Sequence, residues 1–245
     1  MSRYGASTFS SLLKDCVLWA PLMHSAGVSG DIDEFPIIPS GVTVTNSGTF
    51  TKTSLGNNKS VLNFDGSTNY ISLSDNDAWN FGTGDFTMSF WVRFLNSVGI
   101  EYILEQYASS SSRYNVIAKN PNGTIMFGRF TGSWDIKVTN TVFSANTWTL
   151  LTITRTSGNA YMYVNGILDR TDANTTDYIN ISGTLTVGVH NDNPSLYRLN
   201  GNIKDLMIFK GRALTQPEIK LLMNRTHPET GAGLMPINGE YYKLS

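Results

Sequence analysis

The chain has 245 residues and a formal charge of −1, from 18 Lys and Arg against 19 Asp and Glu. Only 15% of its residues are charged, where an average soluble domain carries about 25%, and Ser (25), Thr (26), Asn (23) and Gly (22) fill the gap. That balance argues against a helical bundle, which needs Ala, Glu, Lys and Leu. With no polybasic run, it also argues against a nucleic-acid binder or a protein held on anionic membranes. At 40% apolar and 11% aromatic the chain is too hydrophobic to stay disordered. The lone Cys16 cannot form an internal disulfide, no Cys/His cluster offers a zinc site, and no stretch reaches the ~18 apolar residues of a membrane-spanning helix.

In chain order, Val17 to Met23 is an apolar run interrupted by Pro21, read as a buried first strand rather than the core of a secretion signal. The chain is therefore expected to be made without a standard secretion signal. Strand patterns recur from residue 61: Val61–Phe64, the turn Asp65-Gly66-Ser67, then Tyr70–Leu73. Phe86, Met88, Phe90, Val92 and Phe94 recur at period two, which predicts a strand with those five inward. Tyr102–Leu104 and Tyr114–Ala118 are two strands flanking a polar loop, and Asn122-Gly123 before Thr124–Phe127 predicts a hairpin. After Trp148–Thr154, the sequence Tyr161–Val164, Asn165-Gly166, Ile167-Leu168 predicts a hairpin closed by a type I′ turn, whose two central residues need positive φ. Leu185–Val189 and Ile203–Phe209 complete the strands. One helix is expected around 215–223, with Thr215 and Glu218 as a capping box, Pro217 in the first turn, and Ile219, Leu222 and Met223 toward the sheet. The expected fold is thus all-β, a two-sheet antiparallel jelly-roll sandwich with one short C-terminal helix. Its expected limits are an N-terminal arm over 1–14, the sandwich over 15–225 and an extended tail over 226–245.

Several ordered segments resemble a laminin G-like domain of the concanavalin A-like lectin/glucanase class. They are Val17–Leu22, Phe64-Asp65-Gly66-Ser67-Thr68-Asn69-Tyr70-Ile71, Phe86–Val92, Trp148 with Tyr163-Val164-Asn165-Gly166, and Gly201–Phe209 followed by Ala213-Leu214-Thr215 and Glu218-Ile219. The resemblance covers roughly 15–225 and implies the same jelly roll, a fold that hosts lectins, enzymes and adhesion modules.

Within that class, glucanases carry paired carboxylates on one face of a strand. The nearest pattern is Glu101-Tyr102-Ile103-Leu104-Glu105, which has Ile103 where the middle carboxylate belongs, so no enzyme is expected. His24, His190 and His227 lie near no nucleophile motif. The family's rim calcium would map onto Asp65, Asn69 and Asp205, although Lys204 and Asn69 stand where the family often has acids. The family's commonest activity is carbohydrate binding, which needs amides and carboxylates for hydroxyl pairs and an aromatic platform. Three segments offer these: Asn191, Asp192, Asn193 and Tyr197 in one loop, Tyr107 and Arg113 in a second, and Trp134 beside Gly132.

With an expected absence of secretion signal, the Ser/Thr/Asn-rich surface and the apolar tails lead to a non-catalytic virion structural protein. It would decorate a capsid or form part of a fibre, pair with other virion subunits and with itself as a homo-oligomer, and touch host glycans from the virion surface. The alternative is a stand-alone, extracellular carbohydrate-binding module, and a glucanase-type hydrolase ranks third. Neither nucleic acid nor membrane insertion is expected.

Overall fold

The computed structural model describes residues 11–25, 36–56, 59–96, 98–175, 178 and 182–230. Their strands form two antiparallel sheets. The first has nine strands. Its main path runs β14 (Ile167–Ala173), β13 (Asn159–Val164), β12 (Thr149–Thr156), β7 (Phe86–Phe94), β16 (Asn200–Lys210), β5 (Lys59–Asp65) and β2 (Met23–Ser25). Off that path, β1 (Cys16–Ala20) pairs with β16 and β4 (Thr51–Gly56) with β5. The second has seven strands in the order β11 (Trp134–Val138), β10 (Ile125–Phe130), β9 (Ser112–Lys119), β8 (Glu101–Ser109), β15 (Thr184–Val187), β6 (Tyr70–Leu73) and β3 (Val44–Ser47). The helix expected near the C-terminus is α1 (Gln216–Thr226).

The sheets face each other across one apolar core. Phe86, Met88, Phe90, Val92 and Phe94 of β7 all lie in it, as the period-two pattern predicts, and meet Ile103, Leu104, Ile117, Ile125 and Phe127 from the second sheet. Phe86 anchors an aromatic group, stacked on Phe81 at 4.4 Å and edge-on to Tyr178 at 5.6 Å. Each such ring contributes roughly 2–3 kcal/mol by leaving water. The other face of the first sheet is covered too: Ile219 and Leu222 of α1 pack with Leu12, Trp19, Trp91, Met207 and Phe209. The helix starts where its capping box dictates. Thr215 N–H and its hydroxyl both donate to Glu218 Oε2, at 2.7 and 2.8 Å. The β13–β14 hairpin has Asn165 and Gly166 at φ 49° and 71°, the positive pair a type I′ turn demands.

Two expectations change, and the described ends of the arm and tail can be placed. The apolar run 17–23 is two strands, because Pro21 and Leu22 (φ 53°) turn the chain, so β1 pairs with β16 and β2 with β5. The polar loop expected over 107–114 is instead a continuation of β8 and β9, which stay paired through Tyr107↔Arg113 to Ser109↔Ser112. The arm and tail are docked on their own domain where they are described. Leu12 is buried beside α1, and its carbonyl accepts from Arg212 Nη1 at 3.1 Å. Thr226 and Pro228 are buried, and His227 lies edge-on to Trp91 at 5.0 Å. Residues 1–10 of the expected arm and 231–245 of the expected tail lie outside the described residues.

One irregularity decides which side chains reach the outside of the second sheet. Tyr102 pairs with Ala118 but Leu104 with Ile117, so Ile103 is an extra residue on β8. Such a bulge reverses the face on which later residues emerge. Tyr102 joins Val116, Ala118 and Met126 in a small outer cluster, whereas Leu104 sits in the core. Asn115 (φ 51°) forms a second bulge, on β9, held by its amide bonds to the Trp79 carbonyl and Gln106 Oε1, both 3.1 Å.

Candidate functional site

The two bulges align a cross-strand row on the outer face of the seven-stranded sheet. Trp134 pairs with Phe130, Phe130 with Arg113, Arg113 with Tyr107, and Tyr107 with Thr184. Directly opposed residues on neighbouring strands share a face, so these five side chains form one line across five strands. The Arg113 guanidinium lies over the Phe130 ring at 5.2 Å, and Phe130 packs on Trp134 at 5.0 Å. Trp134 keeps 42% of its surface exposed at the end of the line.

The loop between β15 and β16 folds over this row. Asp192 accepts from Arg113 Nη2 at 2.6 Å and from the Tyr107 hydroxyl at 3.2 Å. Arg113 also donates to the Ser110 carbonyl at 2.8 Å, which ties the guanidinium to its own turn. The loop is anchored one row further in. Glu105 is fully buried and accepts from Asn191 N–H at 2.9 Å, and His190 Nδ1 lies 3.2 Å from its Oε1. Asn191 Nδ2 donates to Thr186 Oγ1 at 2.9 Å. His190 stacks on Tyr102 at 4.2 Å with the planes 18° apart, and Tyr102 N–H donates to the Tyr197 carbonyl at 2.9 Å. Tyr197, at φ 59°, turns its ring outward and stays 40% exposed.

Burial pushes the Tyr102 phenol well above its usual range, with Glu105 adding to the effect. Desolvation, together with the bond to Asp192, raises Tyr107 as well. Both phenols therefore stay neutral, and each keeps a proton to donate. The face offers a carboxylate, a guanidinium and a phenol in one network, with exposed aromatic rings of Trp134 and Tyr197 beside it. Those are the groups needed to hold the hydroxyls and the C–H face of a sugar ring.

All seven residues expected from the sequence to contact carbohydrate thus fall around one outer face, although they come from three separate segments. Their roles differ. Tyr107, Arg113 and Asp192 are the polar centre, and Trp134 and Tyr197 are the flanking rings. The Asn191 side chain is spent on Thr186 and holds the loop. Asn193 is exposed, and its carbonyl closes the loop by accepting from Leu196 N–H at 2.9 Å. Sequence reasoning missed Phe130 and Tyr102, and the stacking of His190 on Tyr102, which support the site. The pairing register that would have revealed them is not written in any local motif.

Of the three candidate calcium residues, Asp65 and Asn69 are hydrogen-bonded neighbours and Asp205 stands apart. Asp65 Oδ1 accepts from the N–H groups of Ser67 and Thr68, each at 2.8 Å, and Oδ2 takes the Thr68 hydroxyl at 2.5 Å. Asn69 is buried and spends its amide on Asp65 N–H and on the Thr49 and Asn63 carbonyls. Asp205 lies five positions along β16 from the residue that opposes Asp65, roughly 16 Å away at strand spacing. There it pairs with Lys204 and accepts from Trp19 Nε1 at 2.9 Å. Among the described residues, no three His, Cys, Asp or Glu side chains gather as a cation site.

Glu101 and Glu105, the nearest approach to a glucanase pair, also separate. Glu101 pairs with Lys119 at 2.8 Å, and Glu105 meets His190 under the outer loop.

The fold has known counterparts. The chain superposes on a structure of botulinum neurotoxin type C, a toxin whose cell entry is dependent upon interaction with two ganglioside molecules, with a TM-score of 0.65 and 17% identity over 89% of this chain and 53% of that one. The binding domain of botulinum neurotoxin DC, solved with rat synaptotagmin II, gives 0.65 and 18% over 88% and 52%. The binding domain of Paraclostridial Mosquitocidal Protein 1 gives 0.62 and 18% over 87% and 52%. The chain therefore spans about half the length of these structures, and at such identity the likeness is one of fold. No curated protein matches the sequence. A laminin G-like family model, described as the concanavalin A-like lectin/glucanases superfamily, matches residues 65–220. Its match spans most of the sandwich, including the Asp65 turn, both bulged strands and the capped start of α1, so the chain belongs to that family and superfamily.

Proposed function

We propose that this chain is a non-catalytic carbohydrate-binding module, and that glycans bind on the outer face of the seven-stranded sheet. The observation that carries the reading is Asp192, which joins Arg113 and Tyr107 into one polar centre between the exposed rings of Trp134 and Tyr197. A pyranose needs both parts: directional partners for its hydroxyls and a flat apolar surface for its axial hydrogens. The lectin-like fold and the ganglioside interaction of a structural neighbour support the same reading. The non-catalytic half of the proposal is supported by the divergence of Glu101 and Glu105, since glycoside hydrolysis needs two carboxyl groups flanking one bond.

The virion reading draws no comparable support, and its proposed linkers are docked in cis where they are described, at Leu12 and at Thr226–Pro228. The test is a glycan array probed with the purified chain and with Arg113→Ala. Binding by the wild type that is lost in the variant supports the module. A wild type that binds no glycan, or a variant that binds equally well, overturns the assignment of this face.

A further inference from the structure

A second cluster lies at one end of the sandwich, where the connection from β7 to β8 meets the end of β9, away from the outer face. Lys119, at the end of β9, is fully buried, with its Nζ 2.8 Å from Glu101 Oε1. The same nitrogen donates to the Val98 carbonyl at 3.3 Å and lies 3.3 Å from the nearer terminal atom of the Asn96 carboxamide. Turned so that this atom is Nδ2, the amide donates to the Val98 carbonyl at 2.7 Å and to Glu101 Oε1 at 2.8 Å. One carboxyl oxygen therefore touches both an amine and an amide nitrogen. Phe94 closes the cluster, its ring 5.2 Å from Lys119 Nζ, and packs edge-on to Phe143.

An amine and a carboxamide held in contact are the reactants of an amide exchange. Holding them in contact removes the entropic cost of bringing them together, and the amine and the carboxyl group beside it, on Lys119 and Glu101, are both buried. We propose that this cluster is an intramolecular amide-forming site, in which Lys119 Nζ becomes bonded to Asn96 Cγ with loss of ammonia, Glu101 acting as general base and then general acid. Glu101 takes a proton from the Lys119 ammonium, and the freed amine adds to Asn96 Cγ. The proton then returns through Glu101 to Nδ2, the Cγ–Nδ2 bond breaks, and ammonia leaves. A further proton lost from Nζ leaves a neutral secondary amide and a protonated Glu101. No oxidant or cofactor enters. Burial raises the Glu101 carboxyl above its ordinary value, against the pull of its bonds from Lys119 and Asn200 N–H, and so suits it to hold that proton.

The bond ties the chain just after β7, in the nine-stranded sheet, to the end of β9 in the seven-stranded sheet. It supplies a covalent link between the two layers in a chain whose single cysteine cannot make one.

Intact-mass spectrometry and peptide mapping of the purified full-length chain test this. The expected wild-type mass is below the formula mass by one ammonia, with a branched peptide joining Asn96 to Lys119. Asn96→Asp is expected to lose one water instead, and Lys119→Met to keep its full formula mass. Glu101→Gln is expected to leave the link unformed, and a link that forms without it removes Glu101 from the reaction. Wild-type protein at full formula mass, with Asn96 and Lys119 in separate linear peptides, overturns the proposal, as does conversion of Asn96 to Asp with no branch. The decisive reading is made on the wild type, so it does not depend on any variant folding.

Discussion

Glu101 and Glu105 stand four positions apart on β8 and emerge from opposite faces of it. Glu101 Oε1 meets Lys119 Nζ at 2.8 Å at one end of the sandwich, while Glu105 Oε1 meets His190 Nδ1 at 3.2 Å beneath the outer loop. In an unbroken strand, residues four apart share a face. The extra residue at Ile103 breaks that rule, and with it the geometry a pair of glycosidase carboxylates needs. Each carboxylate is committed to its own structural neighbourhood.

The polar centre is expected to dominate binding. Arg113→Ala and Asp192→Ala should each weaken glycan affinity by tenfold or more, since a hydrogen bond to a charged group contributes about 1.5–3 kcal/mol. Isothermal titration with the best array glycan measures this, and circular dichroism on the same samples separates lost binding from lost structure. Unchanged affinity in both variants would place the site elsewhere.

The aromatic edge separates binding from stability. Trp134→Ala removes a half-exposed ring and should change stability by less than about 0.5 kcal/mol while reducing affinity. Gly128→Ala should do the reverse first. A Cβ there would stand 2.0 Å from the Asp135 carbonyl oxygen and 2.8 Å from Ile136 Cα, so β11 must move off β10. The expected result is a lowered melting temperature in a thermal scan, with binding lost as a consequence of displacing Trp134.

The type I′ turn between β13 and β14 is a local test of the fold. Gly166 sits at φ 71°, and an added Cβ would also press on Lys220 Cγ of α1 at 3.0 Å. Gly166→Ala is expected to cost about 1 kcal/mol or more, a fall of roughly 2–4 °C in melting temperature for a chain of this size. Differential scanning calorimetry reads the shift.

Asp65 should carry an acid-side pH dependence. Desolvation alone would raise its pKa, but the Thr68 hydroxyl and the N–H groups of Thr68, Ser67 and Asn69 outweigh it and hold the carboxyl far below its ordinary 3.8. A group depressed in the folded state contributes stability that is complete above 3.8 and is lost as the pH falls through that value toward the folded one. Asp65→Asn should therefore be less stable than wild type at neutral pH, with the gap closing as urea melts are repeated at pH 4, 3 and below. A gap independent of pH would assign the effect to shape rather than charge.

Cys16 should be inert. Burial pushes its thiol up to about 12, and its Sγ donates to the Leu18 carbonyl at 3.2 Å. At pH 8 the native chain should react with iodoacetamide orders of magnitude more slowly than the urea-unfolded chain, because the thiolate is the nucleophile. Equal rates would show that the β1 edge opens freely.

Composition and local pattern in the sequence were enough to determine the architecture. Period-two apolar residues named the core strand β7, Asn165-Gly166 named a hairpin through its positive φ angles, and Thr215 with Glu218 named the start of α1. Each rests on interactions within a few residues of one another, so each is legible locally. The residue types around the candidate site were legible too, because loops rich in Asn, Asp and Tyr stand out against a charge-poor chain. What only the tertiary structure decided was their assembly. Arg113 meets Asp192, 79 positions away, and Trp134 joins them through Phe130. That convergence depends on the pairing register of four strands and on bulges at Ile103 and Asn115, and shifting a strand by one residue flips every side chain to the other face. The same register separated Glu101 from Glu105 and brought Lys119 to Asn96, relationships set by long-range strand pairing that no nearby stretch of sequence contains.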